Sequence, residues 1–270
     1  MTFNKIFKES WRDYKTNFKS IFLIVFFFFI IPLIVVSAIN WIWILSNESI
    51  RQLALNPHLI DPETYDIFSA QYFTFIAVSG LLGLVSFFIS LFGLAGLTGI
   101  SVKKSKFSFR EIVNIAKTSY FRYLGLFIIL MIFLLFLFLL FIIPGIIFFV
   151  YWTFALFILY DQKKGAIASL KSSFILVRRR WWKVFGYLIL ISIVLVAISI
   201  IFYLPPLILW IFSLSYLTAK EPLPVWFSIL NTISNLIATI FGYLFVYPLS
   251  ILFLKNFYFE LKKEAQRNKK

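Results

Sequence analysis

The chain has 270 residues, 61% hydrophobic and 21% aromatic against 14% charged, with a formal net charge of +15. A soluble globular domain is about 45–50% apolar and about 25% charged, so that class is excluded and the chain reads as an all-α, polytopic membrane helical bundle. With no cysteine and a single histidine, His58, thiolate and His-based metal sites and a two-His catalytic pair are excluded, and no metal or cofactor is expected.

Residues 1–20 carry Phe3, Phe7, Trp11, Tyr14 and Phe18 at steps of three and four, with Lys5, Lys8, Arg12, Lys15 and Lys19 mostly on the other face. This pattern predicts an amphipathic helix in the membrane interface. The apolar run 21–45 is too long for the h-region of a secretory signal and is taken as the first membrane helix, kinked at Pro32. Ser46 to Ala70 reads as a solvated outer loop containing Glu48, Asp61, Glu63 and Asp66. The second helix, 72–100, has small residues Ser79, Gly83, Ser86, Ser90 and Gly93 along one face, a seam for close helix packing in lipid.

Ser101 to Tyr123 is again basic and amphipathic. Leu124 to Tyr160 then carries no charge and divides at Pro144-Gly145 into helices 124–143 and 146–160, because only a hairpin keeps the flanking basic segments on one side. At 1.5 Å per residue the second arm is about 22 Å long, short of the ~30 Å hydrocarbon core. Asp161 to Lys183 is the third amphipathic segment and ends in Arg178-Arg179-Arg180-Trp181-Trp182-Lys183. Helix 184–204 is stopped by Pro205-Pro206, residues 207–219 lie at the outer interface, and helix 225–254 precedes a basic, water-soluble tail, 255–270.

The expected architecture is therefore one domain, 1–254, with six membrane helices and three interfacial segments. Of 26 Lys and Arg, this layout leaves only Arg51 and Lys220 outside, which places both termini in the cytoplasm by the positive-inside rule. The predicted location is a bacterial cytoplasmic membrane. A weak internal repeat pairs Trp11, Tyr14, Lys15, Phe18 and Phe22 with Phe174, Val177, Arg178, Trp181 and Phe185 at a constant offset of 163 residues.

Candidate functional residues are few. No Asp, Glu, Lys, Arg or His falls within the six expected spans, which argues against ion-coupled transport. Asn231 and Asn235 are the intramembrane polar pair, read as hydrogen-bonding glue between helices or, less favoured, as a binding site. Asp161 has Lys163, Lys164 and the Arg178 cluster as candidate partners. Lys171, Arg178, Arg179, Arg180, Trp181, Trp182 and Lys183 are read as a lipid headgroup or interface site, since guanidinium groups chelate phosphate. A plain anchor for the helix end is the competing reading. Pro144 and Gly145 are the structural break of the hairpin.

Ile143-Pro144-Gly145-Ile146, Tyr160-Asp161, the run Ser169 to Arg178 and Trp182-Lys183-Val184-Phe185-Gly186 together resemble the membrane domain of certain bacterial glycerophosphoryl diester phosphodiesterases and related stand-alone six-helix proteins. Ser169 stands where that family writes Ala, and Phe174 where it writes Trp. The resemblance implies a membrane location and a lipid-related role. It carries over no activity, because the histidines and metal-binding carboxylates of the catalytic barrel have no counterpart in this chain.

The sequence thus predicts a non-catalytic multi-pass protein that interacts with lipids, anionic ones included, or acts as a scaffold. Alternatives are a permease for an uncharged or amphipathic substrate and an immunity or regulatory partner of another membrane protein. Nucleic acid is excluded as a partner, since the Lys and Arg sit in short segments between apolar runs.

Overall fold

The computed structural model describes residues 2–48, 50–51, 65–219 and 221–267. His58, Asp61 and Glu63 of the outer loop, and Lys220, lie outside the described residues. Among the described residues there is no strand, and six helices are long and apolar enough to cross a membrane, the number expected.

We label the helices α1 (Phe3–Thr16), α2 (Phe18–Ser46), α3 (Tyr65–Lys103), α4 (Phe109–Leu140), α5 (Ile142–Trp152), α6 (Ala155–Asp161), α7 (Ala166–Arg178), α8 (Trp181–Ala219) and α9 (Val225–Arg267). Short π-helical turns interrupt α2 at Phe26–Ile30 and α9 at Gly242–Val246.

Four expectations are corrected. The basic segment 101–123 is not a separate interfacial helix: from Phe109 it is the first half of α4, whose buried Ile112, Ala116, Tyr123, Leu126 and Leu130 keep one register through the presumed junction. A capping box fixes where α4 starts, Ser108 Oγ accepting from the Glu111 N–H and the Glu111 carboxylate accepting from the Ser108 N–H at 2.8 Å.

The hairpin turns at Phe141, in extended conformation (φ −155°, ψ 122°), rather than at Pro144-Gly145. Pro144 sits in the first turn of α5, where its missing N–H costs nothing. Gly145 permits the return, because a Cβ there would lie 2.5 Å from the Phe138 ring. Starting at Ile142, the second arm has 20 residues rather than the 15 expected, and it is broken between α5 and α6 at Thr153-Phe154.

Pro205 and Pro206 do not stop the fifth helix: α8 runs for 39 residues through the pair and takes in 207–219. The prolines remove two backbone hydrogen bonds, yet apolar sequence continues on both sides, and in a nonpolar medium a helix satisfies every other backbone group. Finally, the segment after Leu254 is no water-soluble tail. It continues α9 to Arg267 and buries Lys255, Phe257, Tyr258 and Leu261.

The helices group into two compact units, one of Met1–Val25, Leu91–Val196 and Leu244–Lys270, the other of Phe26–Ser90 and Ala197–Tyr243. In the first, Phe154, Phe253, Phe257 and Tyr258 form an aromatic core with Ile6, Val177 and Val184. Three carboxylates bolt the end of α9 to its neighbours. Lys255 Nζ donates to Asp13 of α1 at 2.6 Å, Tyr258 Oη and Lys262 Nζ donate to Asp161 of α6 at 2.6 and 2.5 Å, and Glu264 accepts from Lys183 of α8 at 2.5 Å. Asp161 therefore uses neither Lys163, Lys164 nor the Arg178 cluster.

The repeat is structural as well as sequential. Displaced by 163 residues, the starts of α1 (Phe3) and α2 (Phe18) coincide with those of α7 (Ala166) and α8 (Trp181), and buried Ile6, Ser10 and Tyr14 coincide with buried Ser169, Ser173 and Val177. The Tyr14 hydroxyl donates to the Leu244 carbonyl at 3.1 Å, the acceptor that Pro248 leaves without its helical donor. Burial pushes the Tyr14 phenol up to about 12.

In the second unit the same device recurs. Pro32 strips the Phe28 carbonyl of its donor, and Ser90 Oγ replaces it at 3.0 Å. Ser79 bonds Asn40 at 3.0 Å, whereas Gly83 has open space where a Cβ would stand. Ser79 and Ser90 of the small-residue stripe thus make polar contacts, and in the first unit tight approaches fall at Gly96, where a Cβ would lie 2.6 Å from the Ile112 carbonyl, and at Gly99, where it would lie 2.5 Å from the Tyr160 ring. Large apolar side chains such as Phe73 and Ile42 are exposed, as expected of a surface solvated by lipid.

A basic-aromatic cleft as the candidate functional site

The α7 helix ends at Arg178, and the chain turns at Arg179 and Arg180 before α8 begins at Trp181. The Arg180 N–H donates to the Val177 carbonyl at 2.7 Å, which tightens that turn. Opposite it stands α5, whose break from α6 is held by Ser173: its hydroxyl donates to the Tyr151 carbonyl at 2.7 Å and accepts from the Phe154 N–H at 3.3 Å. The Trp181 indole N–H donates to the Ile147 carbonyl at 3.3 Å, fixing α8 against α5. Between them opens a cleft of about 780 Å³, with Ile143, Ile146, Ile147 and Tyr151 on one wall and Arg178 to Lys183 on the other.

Trp181 stacks on Phe185 at 4.9 Å and meets Trp182 edge-on at 4.8 Å, while Trp182 itself is 78% exposed. The four cations divide into two pairs. Arg180 and Lys183 flank Glu264, at 3.6 and 2.5 Å. Arg178 and Arg179 are exposed, and among the described residues neither has an ion-pair partner. The first turn of α8 contains no acidic residue, so its N–H groups add positive potential to that of the side chains. No carboxylate, histidine, serine or threonine lines the cleft. The arrangement suits binding of an anion that carries an apolar body.

A family described as a domain of unknown function (DUF7847) matches residues 61–254, well over half of the chain. The chain belongs to that family. No curated protein and no solved structure matches it. The family match shows no link to the phosphodiesterase membrane domains that the sequence resembles. Both walls of the cleft fall within the matched span, whereas Asp13, Lys255 and Glu264 lie outside it.

The structure brings together six of the seven residues read as the headgroup site. Lys171 is the exception: it is exposed on α7 and does not line the cleft. Among the described residues Asn231 and Asn235 make no hydrogen bond to another helix. The Asn235 amide donates to the Asn231 carbonyl at 2.9 Å and to its Oδ1 at 3.0 Å, and both residues line a pocket of about 320 Å³ with Tyr203, Pro206 and Trp210. The bond between helices is made one turn on, where the Tyr203 and Thr239 hydroxyls lie 3.4 Å apart. Sequence reasoning missed Glu264. Its signal was the apolar series Leu252, Phe253, Phe257 and Leu261 across Lys255, which marks a helix with one buried face. Among the described residues no three His, Asp or Glu side chains are grouped as metal ligands.

Proposed function

We propose that this multi-pass protein is a non-catalytic, lipid-interacting component of a bacterial cytoplasmic membrane, with both termini cytoplasmic, that holds an anionic phospholipid by its headgroup in the cleft between α5 and α8. One observation carries the reading: two exposed guanidinium groups, which among the described residues have no carboxylate partner, face an apolar wall across a cavity of about 780 Å³. Arg178 and Arg179 chelate the phosphate, Trp181 and Trp182 sit at the level of the glycerol, and Ile143, Ile146 and Ile147 take the acyl chain. The lining has no carboxylate, histidine, serine or threonine, and its one lysine, Lys183, is held as a cation by Glu264, which supports binding without chemistry.

The test replaces all three arginines with lysine, which keeps the charge and removes the planar fork. A headgroup site loses native phosphatidylglycerol or cardiolipin on purification in mild detergent, read by mass spectrometry. A mere anchor retains it, and equal retention at matched expression overturns the reading. Reporter fusions at Pro57 and Gly165 should fall on opposite sides of the membrane; both on one side defeats the orientation. A permease for an uncharged substrate is the second reading, favoured by the Asn231 and Asn235 pocket beside Pro206.

A further inference from the structure

Two of the cations that line the cleft have a partner that stands outside it and competes with a ligand for them. Arg180 and Lys183, which lie on the basic wall, are held by Glu264 from the last turns of α9. The three side chains are partly exposed, Lys183 by 31%, Glu264 by 24% and Arg180 by 16%, so the cluster is in contact with solvent. Glu264 also supplies the negative charge that the first turn of α8 lacks. With Glu264 seated, the cleft offers two guanidinium groups, enough for a phosphodiester bearing one charge. A phosphomonoester bears about 1.5–2 charges at neutral pH, and engaging all four cations requires the carboxylate to leave.

Resting on the headgroup reading above, we infer that Glu264 is a specificity-determining residue: its carboxylate occupies Arg180 and Lys183 and so biases the cleft toward singly charged phosphodiester headgroups over phosphomonoester headgroups. Glu264 sits on a segment bolted elsewhere by Asp13 and Asp161. Its side chain therefore exchanges with a ligand while the helix stays in place.

The experiment titrates full-length protein in detergent with dioctanoyl phosphatidic acid, dioctanoyl phosphatidylglycerol and glycerol 3-phosphate, read by calorimetry. E264Q frees two surface cations and should bind phosphatidic acid at least about tenfold tighter than wild type, with phosphatidylglycerol changed less than about threefold. E264D, which keeps the charge, should restore the wild-type ratio. D161N, which unpairs Lys262 away from the cleft, should leave the ratio unchanged; a shift there equal to that of E264Q would indicate general loosening and overturn the inference. An unchanged lipid ratio in E264Q, with R178Q/R179Q weakening both lipids, overturns the role of Glu264 and leaves the headgroup site standing. R178Q/R179Q without effect on either lipid overturns both. Glycerol 3-phosphate binding as tightly as phosphatidic acid assigns the cleft to soluble phosphate esters and overturns the lipid class.

Discussion

The two copies of the repeat, Phe3–Val25 and Ala166–Leu188, have the same helix–turn–helix frame and close it by opposite means. In the first, Asn17 occupies the turn at 3% exposure. Its amide donates to the Asp13 and Ser105 carbonyls at 2.9 and 2.8 Å, and its Oδ1 accepts from the Phe107 N–H at 2.9 Å. Ser20 adds a bond to the Phe107 carbonyl at 2.8 Å. The equivalent positions in the second copy are Arg180 and Lys183, which hold Glu264 instead. A turn sealed by neutral, buried hydrogen bonds has no place for a ligand. A turn closed by an ion pair in contact with water stays exchangeable, and there the cleft lies.

The sharpest way to break this contrast is at Asp13, whose equivalent is Leu176. Asp13→Leu leaves Lys255, 6% exposed, as a buried charge without its counter-ion. It should cost about 3–5 kcal/mol, with Asp13→Leu/Lys255→Met recovering most of that. Unfolding midpoints in detergent decide it, and a double variant no better than the single one would mean that the pair is not coupled.

Asn17→Ala should cost about 2 kcal/mol, since it strands buried backbone groups of the 105–107 loop. Arg180→Ala, in the wet copy, should cost under about 1 kcal/mol. Equal losses for the two would erase the distinction between a sealed and an open turn.

Tyr14→Phe should cost about 1 kcal/mol through the hydrogen bond to the Leu244 carbonyl. Tyr14 also has a pH signature. Its folded value of about 12 lies above the ordinary 10, so the folded state keeps the proton that the unfolded state has lost. The stabilisation is fully present below pH 10 and is lost as pH rises toward 12. Tyr14→Phe should flatten the fall in stability across that window, and an unchanged slope would show that Tyr14 does not contribute to it.

Much of this fold was legible. Hydropathy alone marks six spans, because the bilayer imposes length and polarity together. The offset of 163 residues marks the turns at Asn17 and Arg180. The cleft was half legible: a Pro-Gly pair and an Arg-Trp cluster show that two helix ends are special, but not that they face each other. Pro205-Pro206 misled because proline predicts helix ends in water, where freed carbonyls are solvated, better than in lipid. The C-terminal segment misled through composition. Lys255, Lys262 and Glu264 read as solvent-facing until Asp13, Asp161 and Lys183, all distant in sequence, are known to lie beside them.

That last arrangement has a consequence for biosynthesis. Asp13 and Lys255 are 242 residues apart, and at about 5–20 residues per second the ribosome makes the lysine roughly 10–50 s after the aspartate. Through that interval α1 is tied only at its Asn17 end, to the 105–107 loop, and lacks its partner α9, so the first helix synthesised is completed among the last. Ribosome stalling or degradation before Lys255 would therefore act on a chain whose α1 is tied at its Asn17 end but not yet secured to α9.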